Sequence, residues 1–459
     1  MNNSLIWDTS LIRRYDQPGP RYTSYPTAVQ FTGDFDQSLY NKAVASRDPS
    51  KPLSLYFHIP FCDTVCYYCG CNKIVTKHRS KAEPYLELLI QEMAMQSELF
   101  GRHAPVQQLH LGGGTPTFLN DDQMKQLMHA AEKYFRLVHD DDSDYSIEID
   151  PREADWSTMG ALRELGFNRI SLGVQDFDVR VQTAVNRIQP ISLTEDLIDA
   201  SRALNFKSIN LDLIYGLPFQ SVSSFMNTVE KVIQLHPDRL SVFNYAHLPH
   251  RFKPQRRINS NDLPSPAEKL RMMEETTARL LDAGYVYIGM DHFALPDDDL
   301  AMAQEEGVLH RNFQGYTTHG HCDLIAMGVS SISQVGNVFA QNFPDMDNYT
   351  QRINNGQLPT YRGLQSTDED MMRSHVIRRL ICDFKLDFHS LENDLDINFL
   401  DTFRPELEQL KVMQEDGLLE LDEQSLKVLP RGRLLIRNIC MVFDQYLKAQ
   451  TEQRFSRVI

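Results

Sequence analysis

Between residue 53 and about residue 294 the chain alternates apolar β-type runs with amphipathic helical stretches, and this alternation limits its fold more than any other feature. Strands are expected at 53–58, 106–111, 144–149, 168–173, 207–213, 238–243 and 285–290. Helices are expected between them at 80–99, 121–136, 156–165, 192–204, 221–235 and 265–283. Repeated βα units predict an α/β fold: a parallel sheet with helical crossovers, open or closed into a barrel. Sites in such folds gather at the carboxyl ends of the strands. The Gly-, Pro- and polar-rich segments fall at those ends: GGGTPT (112–117), EIDPRE (148–153), GVQDF (173–177), DLIYGLP (212–218), NYAHLP (244–249) and MDHFA (290–294).

After the first expected strand comes CDTVCYYCGC, with thiols at Cys62, Cys66, Cys69 and Cys71, four of the seven cysteines in the chain. Thiolates are soft ligands, and this density in one loop means zinc or an iron–sulfur cluster. Structural zinc normally takes two close pairs from separate loops, and the sequence has no second CxxC and no nearby HxxxH. The spacing C-x3-C-x2-C, with aromatic Tyr68 before the third cysteine, resembles the signature of the radical S-adenosylmethionine (SAM) enzymes. That resemblance implies a [4Fe-4S] cluster held by Cys62, Cys66 and Cys69, with SAM on the fourth iron. Three thiolates on a four-iron cubane leave one iron open, as catalytic metal sites keep a position free. Cys71 is surplus to that scheme and by itself reads as a spare buried thiol.

The net charge of −16 argues against general nucleic-acid binding, which needs a basic surface. An anionic substrate would need a local basic pocket. No apolar run reaches a membrane span, and the first residues carry no signal-peptide core, so a reducing cytoplasm is expected for this thiol-rich chain. The stretch PGPRYTSYPTA (18–28) reads as an extended arm docked onto the core. Residues 295–360 read as irregular. Beyond 364, helices at 367–382 and 396–415, a hairpin at 418–429 and a last helix at 432–447 read as a mainly helical, winged-helix-like domain. The domain reading is therefore 1–35 arm, 36–362 catalytic domain and 363–459 C-terminal domain. A lid or packing role suits the last of these better than nucleic-acid binding, since Lys and Arg are scarce on the wing.

The segments CDTVCYYCGCNKIVT, LHLGGGTPT, EIDPRE, NRISLGVQDF, NLDLIYGLP, FNYAHLP, GMDHFA, LHRNFQGYTT and RGRLLIRNICM resemble the bacterial oxygen-independent coproporphyrinogen III oxidases. RYTSYPTA and the terminal FSRVI belong to the same likeness, which spans nearly the whole chain. Tyr68 stands where the family often has Phe; either ring offers a face for stacking. The resemblance implies a radical SAM partial (β/α) barrel, acting as a monomer. Its reaction is the oxidative decarboxylation of two propionates of coproporphyrinogen III to the vinyl groups of protoporphyrinogen IX. Two SAM molecules per active site and an electron donor and acceptor, both unidentified, are also implied. Haem chaperones and haem-degrading relatives with the same core are the alternative, as is a zinc-stabilised regulatory protein.

Residue by residue, the resemblance places Tyr56, Gly113, Gly114, Thr115, Glu148, Gln175, Arg187, Asp212, Ala246 and Ile332 against SAM. It sets Cys71, Phe313 and Gln314 near the second SAM, which replaces the spare-thiol reading of Cys71. The glycines would let a ligand approach the backbone closely. A tetracarboxylate substrate needs cations, and Arg21, Lys73, His310 and Arg311 are the candidates. Cys322, Cys382 and Cys440 match no motif and are expected to be structural.

Overall fold

The computed structural model describes residues 5–447, so the FSRVI terminus lies outside the described residues. The chain divides into two compact units. One comprises residues 31–276 and 321–365, the other the residues up to 30, 277–320 and those from 366 onward.

The first unit is an α/β layer structure. Its strands are β1 (Leu53–Ile59), β2 (Pro105–Gly113), β3 (Asp144–Ile149), β4 (Arg169–Gln175), β5 (Ser208–Tyr215) and β6 (Arg239–Asn244), each within two residues of its expected bounds. They continue as β7 (Asp323–Met327), β8 (Ile332–Val335), β9 (Val338–Asn342) and β10 (Thr360–Gln365). The path runs β6-β5-β4-β3-β2-β1-β7-β8-β9-β10, parallel from β6 to β7 and antiparallel after it. Crossover helices include Ala82–Phe100, Asp121–Tyr134, Trp156–Glu164, Ile191–Ala203 and Val222–Leu235. Asn120, Asp155 and Ser221 start three of them with reciprocal capping boxes, which satisfy first-turn N–H groups.

The period-2 alternation of a strand decides where the chemistry goes. In β3 to β5 one set of side chains is buried: Ile147 and Ile149, Ile170 and Leu172, Ile209 and Leu211. The other set, Ser146, Glu148, Ser171, Gln175, Asn210 and Asp212, is half-buried on the opposite face. Register aligns this polar set across the sheet: Glu148 lies beside Ser171, Ser171 beside Asn210 and Gly173 beside Asp212.

Residues 295–360 are more regular than expected. They hold helices Asp299–Glu306 and Met346–Asn354, a hairpin (His310–Asn312 and Gly315–Thr317) and β7 to β9. All five residues of β7 are buried, so it lacks alternation. Its Asp323 is held in the interior by Arg47 Nε at 2.9 Å and Lys51 Nζ at 2.7 Å. A similar interior carboxylate, Glu92, accepts from Gly328 N at 2.8 Å, Asn342 Nδ2 at 2.7 Å and Tyr349 Oη at 2.6 Å. It fixes the β7–β8 turn to helix Ala82–Phe100.

The second unit combines helices Asp368–Asp383, Phe388–Leu395 and Arg404–Glu415 with a three-stranded antiparallel sheet of Lys385–Asp387, Ser425–Val428 and Leu419–Leu421. This bears out the winged-helix-like build. The last helix is shorter than expected, Ile436–Val442. Asp444 instead accepts bonds from Tyr22 Oη and Tyr446 N, both at 2.9 Å, and such side-chain partners compete with helical continuation. The 18–28 stretch has no α-helix but is packed: Tyr22 and Tyr25 are buried, and Tyr25 meets the Tyr446 ring at 5.9 Å. Cys382 and Cys440 are fully buried and Cys322 half-buried.

Candidate active site

The cysteine loop is closed at its base, where Phe61–Cys62 pairs in parallel with Ile74–Val75. Asn186 Nδ2 donates to Val65 O at 2.8 Å and Tyr67 N to Val185 O at 2.9 Å, anchoring it from the β4 side. Cys62 and Cys66 are buried, Cys69 is half-buried and Cys71 is exposed.

Each of the three signature sulfurs faces a donor. Thr115 Oγ1 lies 3.6 Å from Cys62 Sγ, Cys71 N lies 3.4 Å from Cys69 Sγ, and both Arg152 Nη2 and Arg187 Nη1 lie 3.6 Å from Cys66 Sγ. Burial pushes the Cys62 thiol up to about 11. Cys69 is drawn down to about 5, first by a hydrogen bond from Cys71 and then, against burial, by Lys73. Cys71 is raised in turn, because its proton is shared with the Cys69 sulfur. Metal ligation needs thiolates, and donors aimed at sulfur stabilise that form. Among the described residues, no group of three or more His, Cys, Asp or Glu side chains is gathered around one point as a single metal ion would need. A cubane makes no such demand, since its three thiolates bind three different irons. The residues present fit a [4Fe-4S] cluster.

Arg187 is the pivot of the loop's surroundings. Its Nη1 meets Asp150 Oδ2 at 2.8 Å, and its Nη2 donates to Gly173 O at 2.5 Å. Although burial opposes it, the charges of Arg187 and Arg152 hold Asp150 down at about 2. Arg152 also pairs with Asp150 at 2.6 Å.

Tyr56 Oη lies 3.1 Å from His58 Nδ1, and the Tyr56 ring stacks on His110 at 5.8 Å. His58 Nε2 reaches Asn72 O at 2.9 Å, tying β1 to the cysteine loop. Gly113 has φ +117°, and a Cβ there would sit 2.7 Å from the His58 ring. A Cβ on Gly114 would sit 2.6 Å from Phe61 O. These two glycines are thus required by the packing of the turn against the entry to the cysteine loop. Gly113 N donates to Glu148 Oε2 at 3.0 Å, and His110 Nε2 lies 3.7 Å from Glu148 Oε1. Burial works against the ionised Glu148, but His110 and the Gly113 N–H outweigh it and hold the carboxyl below its usual range. Asp212 accepts from Asn210 Nδ2 at 2.8 Å and Ser171 Oγ at 3.2 Å, and burial lifts it to about 6.

Gln175 ends β4 with φ +68°, and its Oε1 is buried with no hydrogen-bond partner. A left-handed backbone at a non-glycine strand end is strained and is held there by the surrounding structure. Ala246 follows β6 and is exposed; its carbonyl accepts from Gln255 Nε2 at 3.3 Å. Ile332 opens β8. Lys73 Nζ is committed to Cys69 O at 3.2 Å, within the loop.

In the second unit, Arg311 is buried with its ring partner Tyr316 at 4.6 Å, while its Nε and Nη1 have no hydrogen-bond partner. Arg21 Nη2 lies 3.8 Å from Asp291 Oδ2. Asp291 and Met290 both have positive φ, at 73° and 47°, in the turn between Val286–Gly289 and His292–Ala294. Burial raises the Asp291 carboxyl, and the charges of Arg21, Arg437 and Arg311 oppose that rise. The charges of three arginines thus act on one carboxylate, with Arg21 the one in ion-pair range. His310 is different: burial, then Arg378 and Arg379, lower it to about 3, so it offers a hydrogen bond and no charge. Phe313 and Gln314 form the tip of the Arg311 hairpin, and Gln314 Nε2 is buried without a partner.

Sequence reasoning did not single out His58, His110, Asp150, Arg152 or Arg437. Asp150 and Arg152 lay inside the EIDPRE segment, and the histidines stood in apolar strands, where a polar residue on the alternating face is a signal.

A thiol-rich loop at the carboxyl end of β1, beside a polar strand face in a parallel sheet, is the build of a radical SAM enzyme. The Radical SAM superfamily model matches residues 56–232, and the HemN C-terminal domain model matches residues 366–435. The chain belongs to the oxygen-independent coproporphyrinogen III oxidase family. It is 56% identical over 462 residues to the Pseudomonas aeruginosa protein of that name, covering 100% of both chains. Against the Escherichia coli protein of that name it is 51% identical over 455 residues, covering 99% of this chain and 98% of that one. The solved structure of E. coli coproporphyrinogen III oxidase (HemN), described as a radical SAM enzyme, matches with a TM-score of 0.92 at 50% identity, covering 96% of this chain and 100% of that one. A [4Fe-4S] cluster and SAM are accordingly its cofactors. No helix among the described residues is long and apolar enough to cross a membrane.

Proposed function

We propose that this chain converts coproporphyrinogen III to protoporphyrinogen IX without oxygen, by oxidative decarboxylation of two propionate side chains. The observation that carries the reading is the cysteine loop, whose three signature sulfurs each face a donor at the carboxyl end of a parallel sheet. Cys62, Cys66 and Cys69 would hold three irons of the cluster. When bound, the cluster and SAM supply one-electron chemistry strong enough to take hydrogen from an unactivated carbon, which no side chain poised near neutral pH can do.

The chain's own groups do the rest. Arg187, fixed by Asp150, places its guanidinium 3.6 Å from the Cys66 sulfur. Glu148 and Asp212 offer carboxylates to the ammonium and hydroxyl groups of SAM, and Gln175 offers its free acceptor. Tyr56, stacked on His110, presents a ring face. Gly113 to Thr115 hold the turn against the loop so that these groups keep one geometry. The N–H groups of Arg311, with Arg21 and Arg437 in the same unit, are suited to forked pairing with propionate carboxylates. Two SAM molecules per chain, a monomeric state and a reducing compartment for the seven free thiols are the finer parts of this reading.

Anaerobic incubation with SAM, a reductant and coproporphyrinogen III tests it. The expected product has lost two CO2 units and four hydrogens, and Cys62→Ala abolishes it. Unchanged substrate mass with a fully loaded cluster would sink the reading.

A further inference from the structure

We propose that the segment from His250 to Arg257, with the apolar residues beside it, is the docking surface for an acidic one-electron carrier protein that reduces the cluster. The inference rests on the reading of the cysteine loop as the cluster's holder.

The segment reads HRFKPQRR: Arg251, Lys253, Arg256 and Arg257 plus His250, with no acid, in a chain of net charge −16. It packs on the cysteine loop between the second and fourth thiols. Gln255 Nε2 donates to Tyr68 O at 2.8 Å, and Arg257 Nη1 donates to Tyr67 Oη at 3.2 Å with its guanidinium 5.1 Å from that ring. A Cβ added to Gly70 would meet the Phe252 ring at 3.1 Å.

The charges of these cations are not answered by acids of the fold. Arg251, Lys253, Arg256 and Arg257 are all exposed, and none of them forms an ion pair among the described residues. Arg256 bonds only to the carbonyl of Pro249, and Arg251 lies over the Phe252 ring at 5.5 Å. Four unneutralised charges in eight residues repel one another, which folding alone gives no reason to keep.

A core cluster ties this segment to an apolar patch. Tyr67 and Tyr68 pack with Ile258, Val181, Val185 and Leu217. Flanking those core residues, Val179, Ile188 and Phe219 are 66%, 60% and 41% exposed. Phe219 N donates to Asp262 O at 2.8 Å, joining its loop to the one that follows the basic segment. An apolar centre beside a rim of one charge is the anatomy of a transient, electrostatically steered interface.

Charge complementarity selects the occupant. A cluster that must be reduced needs an electron source outside the chain, and a basic collar on the cluster's loop favours an acidic protein bearing it. One electron leaves the carrier, whose flavin hydroquinone becomes a semiquinone, and one enters the cluster; no other bond changes.

The test uses the anaerobically loaded enzyme and reduced flavodoxin, an acidic flavin protein, as probe. The variant is Arg251→Glu/Lys253→Glu/Arg256→Glu, which leaves Arg257 on Tyr67. Bleaching of the cluster's visible absorbance is followed by stopped flow, with flavodoxin and with dithionite. Charge reversal should raise the flavodoxin concentration needed for half-maximal reduction about tenfold or more, and flatten its dependence on salt. Reduction by dithionite should stay within about twofold, as no docking is involved. Unchanged flavodoxin kinetics would overturn the proposal, as would an equal loss with dithionite, which would make the segment a support of the loop. If the triple variant does not fold, Arg251→Gln/Lys253→Gln carries the same comparison with a smaller shift. A protein that shows no cluster absorbance at all fails the underlying reading instead.

Discussion

Two buried arginines, one in each unit, show how differently the chain treats positive charge. Arg187 is paired: both terminal nitrogens have oxygen partners and Asp150 answers its charge, although its Nε has no partner. Arg311 has an aromatic ring on one face and two nitrogens without partners. A paired buried cation shapes the protein, since removing either partner leaves the other charge stranded. An unpaired one is poised for an anion that arrives from outside, because burying it without a partner costs stability that folding alone does not recover. The first unit therefore commits its arginine to the cysteine loop, and the second leaves two N–H groups of its own unanswered, as the proposed pairing with a propionate requires.

The sharpest way to break this comparison is to neutralise each cation in turn. Arg187→Met leaves Asp150 to Arg152 alone and should lower stability by up to about 3 kcal/mol, with loss of iron loading. Thermal melts and iron analysis check it; a melt equal to the parent's would put Arg187 outside the loop's support. Arg311→Met should leave the melt unchanged or raised, while KM for coproporphyrinogen III rises roughly tenfold to a hundredfold, the worth of one charge-assisted hydrogen bond. If the variant instead melts early with unchanged KM, Arg311 belongs to the fold and the contrast fails.

The smallest effect concerns Asp212. Its carboxyl titrates at about 6, above its ordinary value because it is buried, so it is protonated in mild acid and ionised above neutrality. A carboxylate that receives SAM's ammonium or hydroxyl groups should bind SAM more tightly as pH rises through about 6. Asp212→Asn should remove that rise and cost up to about tenfold in affinity at about pH 8. Calorimetric titration with SAM on either side of that titration, in mild acid and in mild base, measures both. A pH rise that survives in the variant would move the effect to another group.

The parallel strands were legible because their β-branched runs and the glycines that end them carry a local signal. The strand β7 was not, since five consecutive buried residues show no alternation and its Asp323 looks like a surface charge until Arg47 and Lys51 are seen around it. The thiol-rich loop stood out by the density of its cysteines, and its reading as a cluster loop came from likeness to the radical SAM signature. Arg187 was reached only through family likeness, because its partner Cys66 stands 121 residues away and nothing local marks it. The cluster of Arg21, Asp291, Arg311 and Arg437 draws on separate stretches of sequence, and only two of its cations were named beforehand. Long-range charge pairing leaves no periodic trace.

The most direct test counts 5′-deoxyadenosine against CO2 in one anaerobic reaction of the loaded enzyme with coproporphyrinogen III. One nucleoside per CO2, and two of each per porphyrinogen converted, is the expected result. Nucleoside release without CO2, or a reducible cluster that yields no nucleoside in the presence of SAM and substrate, would contradict the account.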